Sequence, residues 1–220
     1  SDPYYDGGHT MPDRFNTGAG SYLYADRTMT SGADITATVT VSEGVTVSAS
    51  GETGKRTYTI DVDYNKLASG TKEVVVSDFD FSDGTVKFNF RNLKGNYVFT
   101  EDYGEDLGDG LWSDPTGGRF TVRLINCSMR SAGLPRSAAG NWSDGGAACF
   151  YFDHCTFFTV GQCSNAVFDH CYVGGHVQDD SDAFNPMQNV FIYNTFVDDL
   201  AAVNYYGGEG HTDATQIYGY

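Results

Sequence analysis

Residues 205–216 hold the side chains best suited to chemistry. The aromatic, Gly-rich approach Tyr205-Tyr206-Gly207-Gly208-Glu209-Gly210 leads into His211-Thr-Asp213-Ala-Thr-Gln216. An imidazole, a carboxylate and an amide beside two tyrosines can take sugar hydroxyls and stack a ring. The competing reading has the same side chains hydrogen-bonding a turn. Upstream, Gly174-Gly175-His176-Val-Gln-Asp179-Asp180-Ser-Asp182 gathers three carboxylates behind one histidine. Crowded carboxylates shift one another's pKa, and a raised one can serve as general acid near neutral pH. A solvated acidic loop, or a Ca²⁺ site of oxygen ligands with Asp179 among them, are the alternatives.

Charge narrows the partners. The 220 residues carry 13 Lys+Arg against 29 Asp+Glu, a formal charge of −16, and residues 137–220 hold ten Asp/Glu and no Lys or Arg. Gripping a phosphate backbone or an anionic lipid surface requires Lys/Arg clusters, so nucleic acid and peripheral-membrane partners are excluded. The longest aliphatic run, Val74-Val75-Val76, is far short of the ~20 apolar residues of a membrane span. With 40% hydrophobic and 15% aromatic residues, the chain can bury a sizeable core.

The elements that position these side chains are strands. Residues 1–32 read as an extended, loop-rich opening segment. Ile35 to Val47 and Thr57 to Val62 alternate with period two around Gly44, Gly51 and Gly54, as half-buried strands joined by short turns do. Tyr64 to Ala68 is too short for a lasting helix.

A weak repeat follows. Phe90-Arg-Asn92-Leu-Lys-Gly95, Leu124-Ile-Asn126-Cys-Ser-Met129, Phe152-Asp-His154-Cys-Thr-Phe157, Phe168-Asp-His170-Cys-Tyr-Val173 and Ile192-Tyr-Asn194-Thr-Phe-Val197 share one form, and a sixth copy starts at Ile217-Tyr-Gly219-Tyr220. In strict alternation the first apolar residue and the one three places later face opposite sides. The Asn, His or Gly between them must therefore break parity, and those types tolerate φ > 0. The implied unit is strand, one-residue corner, strand. His154 and His170 are then turn residues, since Asn takes the same place elsewhere.

Corner spacings of 34, 28, 16, 24 and 25 residues average near one coil of a parallel solenoid, whose coils stack about 4.8 Å apart. Carboxylates on adjacent rungs would lie about 5 Å apart, and those two rungs apart about 9–10 Å, near the separations of retaining and inverting glycosidases. Cys127, Cys155 and Cys171 share the slot after the corner, which predicts a ladder of buried thiols. A disulfide involving Cys149 or Cys163 is the alternative. No Cys-x-x-Cys pair suggests a metal site.

These rungs resemble the right-handed parallel β-helix proteins of the pectate-lyase-like superfamily, where Phe-Asp-His-Cys and Ile-Tyr-Asn-Thr look like the recurring strand–Asn–Cys rung. The segment 211–216 is similar to the His-x-Asp-Gly-x-Gln stretch of many carbohydrate-active β-helix proteins, with Ala214 in place of Gly. The resemblance implies an all-β right-handed parallel β-helix over 83–220, preceded by a β-rich segment or early rungs over 1–82. Because the last hexad stops in mid-rung, 1–220 is expected to be the N-terminal part of a longer chain, or to be completed by a further domain or chain. The resemblance also implies a secreted or cell-surface protein of bacterial type acting on an oligosaccharide or polysaccharide.

Among such activities, lyases of uronate polymers use Arg, Lys or bound Ca²⁺ to neutralise a carboxylate. Acids and aromatics suit a neutral glycan better. A glycoside hydrolase is therefore expected, with no required cofactor. Asp213 would be acid or nucleophile, Asp180 or Asp182 its partner, and His211, Gln216, Tyr205, Tyr206 and His176 would hold substrate. A Ca²⁺-dependent polysaccharide lyase and a non-catalytic, adhesin-like glycan-binding module are the alternatives.

Overall fold

A computed structural model describes residues 27–71, 73–92, 121–134, 149–174, 182–198 and 214–215. The described elements are strands, apart from single 3-10 turns at Gly32–Asp34 and Tyr64–Lys66. In chain order the strands are β1 (Thr30–Ser31), β2 (Val39–Ser42), β3 (Val45–Ser50), β4 (Arg56–Asp63), β5 (Glu73–Ser77), β6 (Phe79–Arg91), β7 (Thr121–Ile125) and β8 (Ser128–Ala132). They continue as β9 (Cys149–Asp153), β10 (Thr156–Phe157), β11 (Gly161–Asp169), β12 (Tyr172–Gly174), β13 (Phe184–Tyr193) and β14 (Phe196–Asp198).

Two sheets share them. One runs β5-β7-β9-β11-β13, all parallel; the other runs β2-β3-β4-β6-β8-β10-β12-β14, with β1 also paired to β6. From β5 onward the chain alternates between the sheets and adds one strand to each per circuit. The two period-two segments form the antiparallel β2-β3-β4 meander, turned at Gly44 with φ 81°. β4 then pairs in parallel with β6 from Arg56↔Gly84 to Asp63↔Arg91. The expected boundary at 82/83 falls inside β6.

Single residues make the crossings. Asp78, Asn126, His154, His170 and Asn194 have φ of 63°, 53°, 53°, 52° and 46°. The left-handed region costs most L-residues about 1 kcal/mol or more, and Asn, Asp and His least. One such residue turns the strand onto the second sheet without breaking the interstrand ladder. Thus Asp78 N donates to Ile125 O (3.0 Å), Asn126 N to Asp153 O (2.9 Å), His154 N to Asp169 O (3.0 Å) and His170 N to Tyr193 O (3.2 Å).

The corner expected at Asn92 also has positive φ, 61°, but it stands outside this column. It follows β6 and its amide donates to Asp63 Oδ1 at 2.7 Å. The column position before Asn126 belongs to Asp78, whose carboxylate accepts from Asn126 Nδ2 at 2.7 Å. The 16-residue step from His154 to His170 is a true circuit, because β10 has two residues and only residues 158–160 join it to β11.

Inside, the register stacks like on like. Val76, Leu124, Phe152 and Phe168 form one buried row that ends at the exposed Ile192, and Phe81, Met129, Phe157 and Val173 form another that ends at the half-buried Val197. Phe152 and Phe168 stack at 5.1 Å and 8°, with Phe157 edge-on to both. Cys127, Cys155 and Cys171 fill the slot after the corner, fully buried and as free thiols, as does Cys163 elsewhere in the core. Each slot sulfur reaches back one circuit to a carbonyl: Cys127 to Val76 (3.7 Å), Cys155 to Leu124 (3.5 Å), Cys171 to Phe152 (3.4 Å). Thr195 Oγ1 repeats the bond to Phe168 O at 3.5 Å. Burial pushes the Cys155 and Cys171 thiols far up and that of Cys163 to about 12.

Two outcomes test this arrangement. Asn126→Ala loses a part-buried hydrogen bond to Asp78 worth about 1 kcal/mol and adds about 1 kcal/mol of left-handed strain, so urea unfolding should show a loss of about 2 kcal/mol, with Asn126→Gly losing less. In mass-spectrometric mapping, a maleimide should leave Cys127, Cys155, Cys163 and Cys171 unlabelled in the native protein and label all four in denaturant.

Candidate functional site

Strand alternation sends outward the residue before each corner and the one two places earlier. Ser77, Ile125, Asp153, Asp169 and Tyr193 make one outward row, and Val75, Arg123, Tyr151, Val167 and Phe191 the next. The corner residues stand alongside. The result is a face of carboxylates, imidazoles and aromatic rings repeating at the strand spacing.

At its centre are two stacked Asp–His pairs. The imidazoles of His154 and His170 lie 4.7 Å apart and within 1° of parallel. His154 Nδ1 is 2.6 Å from Asp153 Oδ1, and His170 Nδ1 is 2.8 Å from Asp169 Oδ1. Asp169 also accepts from Tyr151 Oη at 3.1 Å and from Asn194 Nδ2 at 3.1 Å. Arg123 closes the cluster: its guanidinium sits 4.0 Å over the Tyr151 ring, 3.2 Å from Glu73 Oε2 and 3.9 Å from Asp153 Oδ2.

Partial burial would push the Asp169 carboxyl up, but the amide of Asn194, the hydroxyl of Tyr151 and the ring of His170 together outweigh it and hold it below the usual carboxylate range. The same carboxylate, together with burial as the larger cause, pushes the Tyr151 hydroxyl up. Asp169 is thus an anion and accepts only, so His170 donates through Nδ1 and, when neutral, leaves Nε2 as an acceptor. His170 is the more open of the two rings, with 39% of its side chain exposed against 12% for His154. Beside it, Phe191 and Tyr193 stack at 6.3 Å and 8° with 40% and 50% exposure. Parallel exposed rings next to fixed acceptors can cover the apolar face of a sugar and take its hydroxyls.

Of the residues expected to form the site, Asp182 is described. It is buried just before β13, and its carbonyl accepts from Thr159 Oγ1 at 2.8 Å. His176, Asp179, Asp180, Tyr205, Tyr206, His211, Asp213 and Gln216 lie outside the described residues, as does the sixth hexad. One contact bears on them: Thr215, two residues after Asp213, forms a parallel bridge with Phe184, two residues after Asp182. Among the described residues no group of three or more His, Cys, Asp or Glu is placed to hold a metal ion.

The face built by Arg123, Tyr151, Asp153, Asp169, Phe191 and Tyr193 escaped the sequence reading, although its signal was present. Phe-Asp-His-Cys occurs twice, and a corner at each His puts each Asp outside and in register with the other. Comparison with protein-family models, curated proteins and solved structures finds no match to this chain.

The Asp169 cluster has a pH signature. Its folded pKa is depressed below the ordinary 3.8, so its stabilising contribution is complete above the unfolded value and is lost as pH falls through the folded one. Comparing unfolding free energies, the advantage of the native protein over Asp169→Asn should be largest above about pH 5 and shrink steadily below about pH 4. A pH-independent difference would refute the charge-based account.

Proposed function

We propose that the chain is a right-handed parallel β-helix of carbohydrate-active type, secreted or displayed at a cell surface, whose outward corner face binds a neutral oligosaccharide. The observation that carries this reading is the exposed Phe191–Tyr193 stack beside the Asp169–His170 pair. Aromatic faces and anionic acceptors suit sugar C–H and O–H groups. The face's cation, Arg123, is already engaged by Glu73, Asp153 and Tyr151, which favours a neutral ligand over a uronate.

Hydrolysis belongs to a different pair of carboxylates. On the corner face the described donors keep Asp169 ionised, so it can bind hydroxyls but cannot deliver a proton. The Phe184–Thr215 bridge favours Asp182 and Asp213 instead. Carboxylates on adjacent rungs of such a solenoid would lie about 5 Å apart, near the ~5–5.5 Å between the carboxyls of a retaining glycosidase. Asp213 would attack or protonate, and Asp182 would take the complementary role.

Incubating the protein with neutral and acidic oligosaccharides, with and without EDTA and read by mass spectrometry, separates the outcomes. Cleavage of a neutral glycan with addition of water, unaffected by EDTA, is expected. Asp182→Asn and Asp213→Asn should each lower kcat by about a hundredfold or more, while Tyr193→Ala should weaken binding by about tenfold. Binding without cleavage would make the protein a glycan-binding module. Unsaturated, EDTA-sensitive products would point to a lyase, and no binding at all would overturn the reading.

A further inference from the structure

A basic cleft lies away from the corner face. It is an open depression of about 350 Å³ lined by Gly54, Lys55, Arg56, Gly84, Thr85 and Arg130, a volume at the small end of ligand sites. The turn before β4, the middle of β6 and the strand β8 converge here. A Cβ on Gly84 would come within 2.2 Å of the Arg56 carbonyl oxygen, so glycine is what lets β6 close against β4. Gly54 and Gly84 leave this part of the cleft as bare backbone.

The charge balance is unusual for so acidic a chain. Three of its 13 basic residues meet at this cleft. Asp83 is the carboxylate facing them: Oδ2 is 3.3 Å from Arg56 Nη1 and accepts from Gly54 N at 3.4 Å, while Oδ1 accepts from the Tyr58 hydroxyl. Among the described residues no carboxylate lies within ion-pair distance of Lys55 or Arg130; the Arg130 guanidinium sits over the Phe158 ring at 5.1 Å. Among the described residues two positive charges are therefore left without a carboxylate partner. In addition Arg56 Nη1 is buried and, despite its ionic contact with Asp83, makes no hydrogen bond. Buried donors in native proteins are nearly always satisfied.

We propose that this cleft is an anion subsite, taking one carboxylate or sulfate group of a small ligand about the size of one or two sugar rings. The oxyanion would accept from Lys55 Nζ and the Arg130 guanidinium. Thr85 Oγ1, 2.9 Å from Ser131 Oγ on the neighbouring strand, supplies a neutral polar wall. The ligand's charge, rather than its shape, is what the cleft selects. The corner face lacks this property, so the site is separate from the proposed neutral-glycan face and does not depend on it.

The test is an amide chemical-shift titration of the full chain with glucuronate, inorganic sulfate and glucose in turn. Glucuronate, sulfate or both should move the Gly54, Lys55, Thr57 and Gly84 resonances, and glucose should not. A response to one anion alone identifies which oxyanion the cleft takes. Lys55→Gln with Arg130→Gln, both exposed, should weaken the response by about tenfold or more, whereas Tyr193→Ala should leave it unchanged. Equal shifts with glucose and glucuronate, silence with both anions, or undiminished binding by the double variant would overturn the proposal.

Discussion

One left-handed residue at each crossing between the sheets carries the architecture. Asp78, Asn126, His154, His170 and Asn194 each turn a strand of the five-stranded sheet into a strand of the larger sheet. The turn is tight enough that backbone hydrogen bonding continues through it to the next circuit. Few side chains accept this geometry at low cost, which is why Asn, Asp and His monopolise the position. Because the corner breaks parity, Phe152 and Phe168 before it point inward, and so do Cys155 and Cys171 after it. Asp153 and Asp169 are thereby committed to the outside. Core and candidate face are two consequences of one backbone requirement.

Stacking in register then imposes self-compatibility. A residue in these rows meets the same kind of residue one circuit above and below, so aromatic rings stack or pack edge-on and thiols bond to carbonyls of the previous circuit. Apolar rows gain from this repetition. Ionisable rows do so only when complementary groups are interleaved. The outward rows show the remedy: Asp169 gathers an amide, a phenol and an imidazole, and Arg123 lies between Glu73, Asp153 and the Tyr151 ring. At the other end of the described strands the same logic is visible in Asp61, which accepts from Asn89 at 2.6 Å and from Arg91 Nη2 at 2.6 Å.

What could be read in advance followed how local each signal is. Alternation around Gly44 marked the β2–β3 hairpin, and positions 92, 126, 154, 170 and 194 announced positive φ, because residue type at a corner is a local matter. Membership in the column is not local. Val76-Ser-Asp78-Phe-Asp-Phe81 has the hexad form but carries Asp at its corner, outside the Asn, His and Gly of the other copies, so Asp78 passed unnoticed and Asn92 took its place, although 48 residues separate Asp78 from Asn126. Circuits of such different lengths share corners because the intervening segments vary while the register does not. The polar face needed one further step, to ask where the residue before each corner points. The sequence pattern assigns His154 and His170 to the turn and says nothing of Asp153 and Asp169, whose partners Tyr151, Arg123 and Asn194 come from other circuits, at separations where single-sequence patterns are silent.

The stacked corners can be observed directly by proton NMR of the assigned imidazoles. Rings held 4.7 Å apart and parallel should give nuclear Overhauser contacts between His154 and His170, and between His170 and the Asn194 side-chain amide, whose nitrogen shares the Asp169 Oδ1 acceptor with His170 Nδ1. Those contacts would place successive corners one above another and the Asp–His pairs on one face. Their absence, with each histidine contacting only its own sequence neighbours, would contradict the corner column and both the core and the binding face derived from it.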